Sequence, residues 1–198
     1  MRVSDPSNFY TGLVAELYEP LASGISDSDR FIRFVVEHGE PALEICCGTG
    51  LPLLDLLEAG LDVEGVDSSK DMLDICAAKA SKRGLSVTLH RAMMQDFKML
   101  RRFRSVYIAN GSITLLPSDS DLKQTLKTII ECLDPKGIVL FDLDVPNANE
   151  LRRLVGKFKE TEYDGCRIRV GITQGDWSEK DSELITKLRY ERGSPLGQ

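Results

Sequence analysis

The sequence predicts an α/β fold: a doubly wound, mainly parallel sheet followed by a C-terminal antiparallel strand pair. Three observations lead to this prediction. Short apolar segments alternate with amphipathic segments between residues 26 and 158. The segment 138–141 is apolar at every position, as expected of a parallel strand covered on both faces. Residues 160–191 instead alternate polar and apolar side chains around a polar turn near residues 177–181.

The first predicted helix covers residues 26–38, and Ser26 or Ser28 can cap its first turn. Its apolar face consists of Phe31, Phe34 and Val35. The first predicted strand follows at residues 42–47 and ends where two glycines begin a turn.

Residues 52–60 fit a second helix, which starts at a proline and ends at a glycine. Its predicted buried stripe is Leu53, Leu54 and Leu57. The second strand is predicted at residues 63–67. Ser68 or Ser69 can then cap a third helix, which runs to Ala80.

The second half of the chain continues the alternation of strands and helices. Its parallel strands are predicted at residues 86–91, 105–109 and 138–143. An amphipathic helix covers roughly residues 119–133, and a shorter helix runs from the Asn147 region through Val155. The predicted buried stripe of the longer helix is Leu122, Leu126, Ile129, Ile130 and Leu133. The antiparallel strands are predicted at residues 166–174 and 183–191.

Length and composition restrict the function. A chain of 198 residues suits one domain, and its apolar runs are too short to cross a bilayer. The net charge of −6 disfavours a nucleic-acid partner, because an acidic surface repels a phosphate backbone. Five cysteines, without metal-ligand spacing, argue against disulfides and against a metal site. We therefore expect a cytoplasmic protein with free thiols that binds no metal, membrane or nucleic acid.

The candidate ligand site begins at the turn after the first strand, in the segment Glu44–Gly50. Because glycine has no Cβ, the backbone at Gly48 and Gly50 can turn sharply and approach a ligand closely. Ligands of doubly wound sheets bind beyond the carboxyl ends of the strands, where the strand order reverses. A side chain at either glycine is therefore expected to block the ligand or to strain the backbone, and Gly50→Val is expected to abolish ligand binding while the protein stays folded.

Asp67 ends the second predicted strand, 19 residues after Gly48 (67 − 48). An acidic residue at this place can accept hydrogen bonds from both ribose hydroxyls of an adenosine. The alternative is a surface carboxylate that caps the next helix. A dinucleotide site would need a third glycine, but Leu53 stands at that position.

Together these features resemble the class I S-adenosylmethionine-dependent methyltransferases of the small-molecule type, over about residues 10–146. Glu44 and the Cys47–Gly50 segment resemble the acidic residue and CGTG loop of that family. The segment 66–73 resembles its second motif, where the strand-ending acid holds the ribose and a methionine, here Met72, packs on the adenine. The family has a Rossmann-like fold.

Three later segments also resemble this family. Residues 93–97 resemble the motif whose carboxylate, here Asp96, accepts from the adenine amino group. Residues 110–113 resemble the segment that passes under the methionine part, and 133–138 resemble the lead into the fifth strand. The implied site binds S-adenosylmethionine, with S-adenosylhomocysteine as product. Its implied residues are Glu44, Cys46, Cys47, Gly48, Gly50, Asp67, Ser68, Met72, Met94, Gln95, Asp96, Ala109, Asn110 and Gly111.

The sequence departs from the family pattern at two places, one in the loop and one after the fourth strand. Cys46 stands where the first glycine of the loop is usual. Asn110-Gly111-Ser112 replaces the Pro-Pro-aromatic pattern of the family's nucleic-acid amino-methyltransferases. Together with the acidic pI of about 5.1, the second departure points to a small-molecule acceptor.

The N-terminal stretch 9–19 resembles the lid of small-molecule N- and O-methyltransferases, some of which act on amino sugars. On that resemblance Tyr18 is the candidate nearest the reacting centre, and a core tyrosine on an amphipathic helix is the alternative. No residue is identified as a necessary general base, so the catalytic residue is unknown.

The chain is predicted to be a single methyltransferase domain. It would comprise a helical lid at residues 1–40, a cofactor-binding core at 41–158, the antiparallel pair at 159–192 and a disordered tail at 193–198. The last two strands of the family's sheet are not found, which leaves the fifth strand at an open edge. Either residues 166–191 or a second chain should cover that edge, and the sequence favours a homodimer.

Two other functions stay open on the sequence. One is an NAD(P)-binding oxidoreductase, against which the missing third glycine and the 94–96 cluster argue. The other is a catalytically inactive methyltransferase-like domain that acts by binding. Binding of S-adenosylhomocysteine compared with NAD separates the first alternative from a methyltransferase.

Overall fold

A computed structural model describes residues 9–22, 27–143, 148–178 and 183–195. These residues divide into two compact units. The first unit contains residues 9–12 and 27–143, and the second contains the remaining described residues. The predicted lid region, residues 1–40, therefore contributes to both units.

The elements in chain order are α1 (Leu13–Ala22), α2 (Ser28–His38), β1 (Ala42–Ile45), α3 (Leu53–Glu58), β2 (Val63–Asp67), α4 (Lys70–Lys82), β3 (Thr88–Arg91), β4 (Phe103–Ile108), α5 (Asp119–Cys132), β5 (Leu133–Phe141), α6 (Ala148–Leu154), β6 (Phe158–Tyr163), β7 (Cys166–Ser178) and β8 (Glu183–Pro195). A short 3₁₀ helix at Ser112–Leu115 lies between β4 and α5. No described helix is long and apolar enough to cross a membrane.

The first unit is built on a five-stranded sheet in the order β3-β2-β1-β4-β5. All four strand pairs are parallel, which confirms the predicted fold class. β1 lies at the centre and is buried along its whole length. Since β2 lies on one side of β1 and β4 on the other, the strand order reverses between β1 and β4.

Local signals placed the first helices well, but not every cap or buried residue. The N-cap of α2 is Asp27, whose carboxylate accepts from the Arg30 amide at 3.2 Å. Ser28 instead donates to Asp55 at 2.5 Å, and residue 26 lies outside the described ranges. The predicted apolar face of α2 is buried. In α3 the third buried residue is Leu56, not Leu57.

The predicted stripe of α5 is wrong. The helix buries four residues, Thr125, Thr128, Ile129 and Cys132. Of the predicted stripe only Ile129 is among them, while Leu122, Leu126 and Ile130 are exposed. The apolar residues of α5 therefore form a row beside the buried face rather than the buried face itself.

β5 also differs from its predicted environment. It is the last strand of the sheet, with β4 on one side. Ile138 is 44% exposed and Phe141 is 37% exposed. The faces of this strand are thus only partly covered, although its apolar sequence predicts burial on both faces. Among the described residues no strand pairs with its outer edge, as predicted.

The second unit contains a three-stranded antiparallel sheet in the order β6-β7-β8. The sequence predicts only the β7–β8 pair and misses β6, whose residues are mostly exposed and polar. Trp177 pairs with Leu184 within this sheet rather than lying in the turn. Residues 193–195 belong to β8 rather than to a disordered tail, and residues 196–198 lie outside the described ranges.

Two helices accompany this sheet. Leu17 and Leu21 of α1 pack against Ile168 of β7. The predicted helix near Asn147 is α6, which begins at Ala148, and residue 147 itself lies outside the described ranges. The second unit thus has its own small apolar core.

Candidate functional site

The candidate site lies where the carboxyl ends of β1, β2 and β4 meet. Ile45 at the end of β1 is in register with Val66 of β2, and Glu44 is in register with Tyr107 of β4. Because the three strands are parallel neighbours, the segments that follow them begin at one edge of the sheet. That edge contains the strand-order reversal where ligands of such sheets bind.

The loop after β1 has a left-handed backbone at three positions. The φ angles are 61° at Cys46, 52° at Gly48 and 90° at Gly50. The left-handed backbone at Cys46 departs from the extended conformation of a strand. The strand therefore ends at Ile45 rather than at residue 47 as predicted. The Cys47 amide donates to the Val66 carbonyl at 3.0 Å, which fixes the loop against β2.

The two loop glycines have different surroundings. A Cβ at Gly48 would meet only the Met72 methyl group, at 3.9 Å. A Cβ at Gly50 would lie 2.7 Å from both Cys76 Sγ and Leu54 Cγ, which belong to the core. Gly48 therefore leaves open space at the site, whereas Gly50 is required by packing. This packing argues against the expectation that Gly50→Val leaves the fold intact.

Asp67 lies at the end of β2 and directly beside the loop. One carboxylate oxygen accepts from the Gly48 amide and the other from the Ser69 amide, both at 2.8 Å. Burial raises the pKa of Asp67, and these backbone hydrogen bonds partly oppose the increase. Each carboxylate oxygen can accept a second hydrogen bond, so Asp67 can still receive a diol.

Glu44 is fully buried at the centre of the sheet. The Tyr107 hydroxyl donates to its Oε2 at 3.0 Å, while Oε1 has no hydrogen-bond partner among the described residues. Burial raises the pKa of Glu44 well above its ordinary value. Thr49 is also buried, and its Oγ1 likewise lacks a described partner.

The raised pKa of Glu44 predicts a pH-dependent stability. The folded state holds this proton more tightly than the unfolded state, so the free energy of unfolding falls as pH rises from about 4.5 through the raised pKa. This group alone contributes a slope of at most about 1.4 kcal/mol per pH unit. Glu44→Gln keeps a neutral side chain at every pH and should remove that contribution.

Urea unfolding at several pH values between 5 and 8 measures this effect. The stability of Glu44→Gln relative to wild type should increase with pH. Asp67 titrates in both proteins, so only its Coulombic coupling with Glu44 remains in the difference. Parallel stability curves would show that Glu44 does not carry the proton.

The turn after β3 is closed by the Asp96 amide, which donates to the Met93 carbonyl at 3.0 Å. Met94 packs with the core cluster that contains Val66. Asp96 is exposed, so its carboxylate is available to a ligand. Gln95 is anchored through its carbonyl to α5, and its side-chain Oε1 has no partner within the described ranges.

The segment after β4 contains two consecutive left-handed residues, Asn110 (φ 55°) and Gly111 (φ 68°). The Asn110 amide donates to Asp142 Oδ2 at 3.3 Å. Asp142 follows β5, and its other oxygen pairs with Arg30 of α2 at 2.6 Å. Asp142 therefore ties the Ala109–Gly111 turn to α2.

Residues 9–12 are attached beside Asp67. The Ser69 hydroxyl donates to the Tyr10 carbonyl at 2.5 Å, and the Gly12 amide donates to Asp71 at 2.7 Å. Ser69 also caps α4 through the Met72 amide, as one of the two predicted caps. The beginning of the predicted lid thus contacts the first turn of α4.

Tyr18 belongs to the second unit, on α1, where it lies half-buried. In the same unit, the pKa of Tyr190 is raised mainly by burial and also by Tyr18. Tyr18 as the residue nearest the reacting centre stays a prediction.

The thiols of Cys46 and Cys47 are not poised as nucleophiles. Burial raises the pKa of both above the ordinary value, with the Asp67 and Glu44 carboxylates adding to the effect. They remain protonated at neutral pH and pack as small apolar groups, as the sequence suggests.

Sequence reasoning missed four residues that shape this site: Arg30, Thr49, Tyr107 and Asp142. Tyr107 and Asp142 act through the register of neighbouring strands, which a single sequence does not reveal. For Thr49 a signal existed, since it lies between the two loop glycines.

The geometry fits S-adenosylmethionine. The open side of Gly48 leaves room for a ligand against the backbone, and Asp67 can accept a diol. The buried Glu44 Oε1 and Thr49 Oγ1 without described partners are polar atoms that a bound polar group can satisfy.

Comparison with known proteins gives matches in sequence and in fold. A family described as a methyltransferase domain matches residues 42–137. A dTDP-3-amino-3,6-dideoxy-alpha-D-glucopyranose N,N-dimethyltransferase of Streptomyces fradiae is 30% identical over 145 residues, covering 69% of this chain and 55% of the relative. A glycine/sarcosine N-methyltransferase of Aphanothece halophytica is 32% identical over 130 residues, covering 64% of this chain and 49% of the relative. The chain thus spans about half the length of these curated relatives.

The fold is shared with solved structures of low sequence identity. The sugar N-methyltransferase KedS8 from Streptoalloteichus sp ATCC 53650 superposes with a TM-score of 0.67 at 20% identity, covering 98% of this chain and 85% of that one.

Proposed function

We propose that the chain is a class I S-adenosylmethionine-dependent methyltransferase and that it transfers a methyl group to a small-molecule acceptor. The observation that carries the proposal is the loop–acid pair: the open Gly48 loop is bonded to Asp67 at 2.8 Å at the strand-order reversal. The match over residues 42–137 supports it independently.

Different residues of the site would hold the ribose, adenine and methionine parts of S-adenosylmethionine. The Gly48 loop and Asp67 would hold the ribose side, with Ser68 and Met72 adjacent. Met94, Gln95 and Asp96 would contact the adenine. The polar groups of Glu44 and the turn Ala109–Gly111 would hold the methionine part, next to Cys46, Cys47 and Gly50.

S-adenosylmethionine supplies a methyl group on a positively charged sulfur, which is an activated leaving group. The protein therefore needs mainly to align donor and acceptor, roughly 3 Å apart, in a site from which water is excluded. Asp142 would assist by holding the Asn110 amide, and hence the turn beneath the methionine part, in place. A general base is needed only for an acceptor that must lose a proton.

We propose an amine as the acceptor. The curated relatives named above are N-methyltransferases of an amino sugar and of glycine or sarcosine. The acidic chain and the Asn110-Gly111-Ser112 segment support a small molecule rather than a nucleic acid. We also propose a cytoplasmic location, because the cysteines of the described residues are free thiols.

Two measurements test the proposed function. Titration calorimetry should show binding of S-adenosylhomocysteine and no binding of NAD, and binding of NAD alone would overturn it in favour of an oxidoreductase. Labelled methyl transfer from S-adenosylmethionine should then modify compounds in a panel of amino sugars and small amines. Cofactor binding without transfer to any amine or to a metabolite extract would indicate the inactive binding domain.

Asp96 gives a specific test of the adenine contact. Asp96→Asn should weaken binding of S-adenosylhomocysteine about tenfold, because a hydrogen bond to a charged acceptor typically contributes about 1.5–3 kcal/mol and this carboxylate is solvent-exposed. The analogue with inosine in place of adenosine lacks the amino group and should lose much less. Calorimetric titration with both ligands makes the comparison, and equal weakening of the two would remove Asp96 from the adenine site.

A further inference from the structure

Tyr107 is a fully buried residue of β4 whose hydroxyl donates to the Glu44 carboxyl. We propose that Tyr107 is a positioning residue: it orients Glu44 so that Oε1 receives the ammonium group of the methionine part of the ligand. The inference rests on the proposed function and extends it, because it names the group that Glu44 recognises and the residue that orients Glu44.

The strand register and the core packing fix the position of the Tyr107 hydroxyl. Tyr107 and Glu44 are in register on neighbouring parallel strands, so their side chains project from the same face of the sheet. The centroid of the Tyr107 ring lies 5.1 Å from that of Phe31 on α2, and both rings are buried. The Tyr107 ring therefore cannot turn away from Glu44 without disturbing a closely packed core.

The Tyr107 hydroxyl also decides which oxygen of Glu44 is left for a ligand. It donates to Oε2 at 3.0 Å, and burial raises the pKa of Tyr107 well above its ordinary value, so the hydroxyl keeps its proton and stays a donor. The carbonyl oxygen of a neutral carboxyl is its better acceptor, so Glu44 holds its own proton at Oε1. Oε1 is buried and has no hydrogen-bond partner among the described residues. The unpartnered oxygen is thus the one that carries the proton.

The surroundings of Glu44 favour a cationic partner. Burial raises the pKa of Glu44, the Asp67 and Asp55 carboxylates add to the rise, and the Tyr107 hydroxyl and the Leu53 amide oppose it. An ammonium group brings positive charge to this group of acids and can donate to Oε1. The carboxylate of the methionine part would be repelled by the same acids.

Glu44 accepts from an ammonium group in its carboxylate form, so binding requires one proton to leave. The O–H bond at Oε1 breaks, the proton passes to the solvent, and no other covalent bond changes. The buried thiols of Cys46 and Cys47 also interact with Glu44, but their raised pKa values keep them protonated. Tyr107 donates to Oε2 before and after the proton leaves, and it therefore keeps Oε1 in the same orientation.

Tyr107→Phe tests the assignment, because it removes the hydroxyl and keeps the packed ring. Titration calorimetry at pH 7 compares S-adenosylhomocysteine with an analogue that lacks the α-amino group. We expect the variant to bind S-adenosylhomocysteine about tenfold more weakly than wild type and to bind the analogue within about twofold of wild type. A residue that only packs would affect both ligands alike.

Tyr163→Phe is the matched control. It removes the same hydroxyl from a tyrosine of β6 that is 39% exposed, and it should bind both ligands as wild type does. Circular dichroism checks that both variants stay folded.

The proton at Oε1 provides a second measurement. Below the raised pKa of Glu44, each pH unit makes removal of this proton easier, and only the ligand with the amino group requires its removal. The affinity of wild type for S-adenosylhomocysteine relative to the analogue should therefore rise with pH between about 5.5 and 8, by at most about tenfold per unit. Asp67 titrates with both ligands, so only its coupling with Glu44 remains in this ratio.

Glu44→Gln isolates the role of the carboxyl group. This side chain does not ionise, so the ratio of the two affinities should not change with pH. Adding Tyr107→Phe to Glu44→Gln should change the ratio by less than about twofold, because the two residues act through one contact.

The outcomes separate this inference from the proposed function. A wild-type protein that binds neither ligand overturns both. A wild-type protein that binds the two ligands equally, or whose affinity ratio does not change with pH, overturns the ammonium contact and leaves the methyltransferase proposal standing. A folded Tyr107→Phe variant that weakens both ligands equally, or neither, overturns the positioning role. If Tyr107→Phe does not fold, the pH dependence of the ratio in wild type and Glu44→Gln decides.

Discussion

Replacing Gly50 by valine should destabilise the first unit by about 3 kcal/mol or more. Its Cβ would lie 2.7 Å from Cys76 Sγ and Leu54 Cγ, in a core whose side chains have little room to move. The φ angle of 90° adds a backbone penalty for any residue with a side chain. Urea unfolding followed by circular dichroism should show a large loss of stability or no folded protein.

Gly48→Ala is the matched control for this variant. Its Cβ would meet only the Met72 methyl group, at 3.9 Å, so the fold should survive with a loss of about 1–2 kcal/mol from the left-handed backbone. The added methyl group would occupy the open side of the loop, and we expect binding of S-adenosylhomocysteine to fall at least about tenfold, by over 1.4 kcal/mol. A stable Gly50→Val protein, or a Gly48→Ala protein that binds as wild type, would reverse the roles assigned to the two glycines.

The second large effect is expected from Asp67→Ala. Loss of charge-assisted hydrogen bonds to the ribose typically costs about 1.5–3 kcal/mol, so the affinity for S-adenosylhomocysteine should fall by about one to two orders of magnitude. The variant also frees the Gly48 and Ser69 amides from their acceptor, which loosens the loop. Calorimetric titration measures the affinity.

Two controls separate the ribose contact from a loosened loop. An analogue of S-adenosylhomocysteine without the ribose hydroxyls should bind wild type and Asp67→Ala with nearly equal affinity. Asp74→Ala, on the exposed side of α4, should bind the natural ligand as wild type does. If Asp67→Ala weakens both ligands equally, the carboxylate acts on the loop alone and the ribose assignment is wrong.

Local sequence patterns predicted the parallel core closely. β2 runs over Val63–Asp67 as predicted, and Ser69, one of the two predicted caps, caps the helix that follows. The loop after β1 and Asp67 were paired from spacing alone, and the structure joins them at 2.8 Å. These features depend on residues close in sequence, whose preferences for turns, caps and buried strands act locally.

The backbone conformation of Cys46 depends both on the local sequence and on tertiary contacts. Its position next to the glycine loop is plain in the sequence, but a cysteine gives no sign of a left-handed φ of 61°. The Cys47 amide is bonded to Val66 of β2 and the Cys47 side chain is buried, so contacts with residues beyond the loop hold that conformation. The strand therefore ends two residues earlier than its apolar run.

The sequence by itself determined the order of strands and helices in the parallel core and the loop–acid pair, because these follow from periodicity and spacing along the chain. The tertiary structure alone decided the buried face of α5 and the pairing of side chains on neighbouring strands. α5 carries a convincing apolar row, yet it packs through Thr125 and Thr128. Glu44 meets Tyr107 because β1 and β4 are neighbours in that register. Burial and side-chain pairing depend on which strands become adjacent, and that is a property of the assembled sheet.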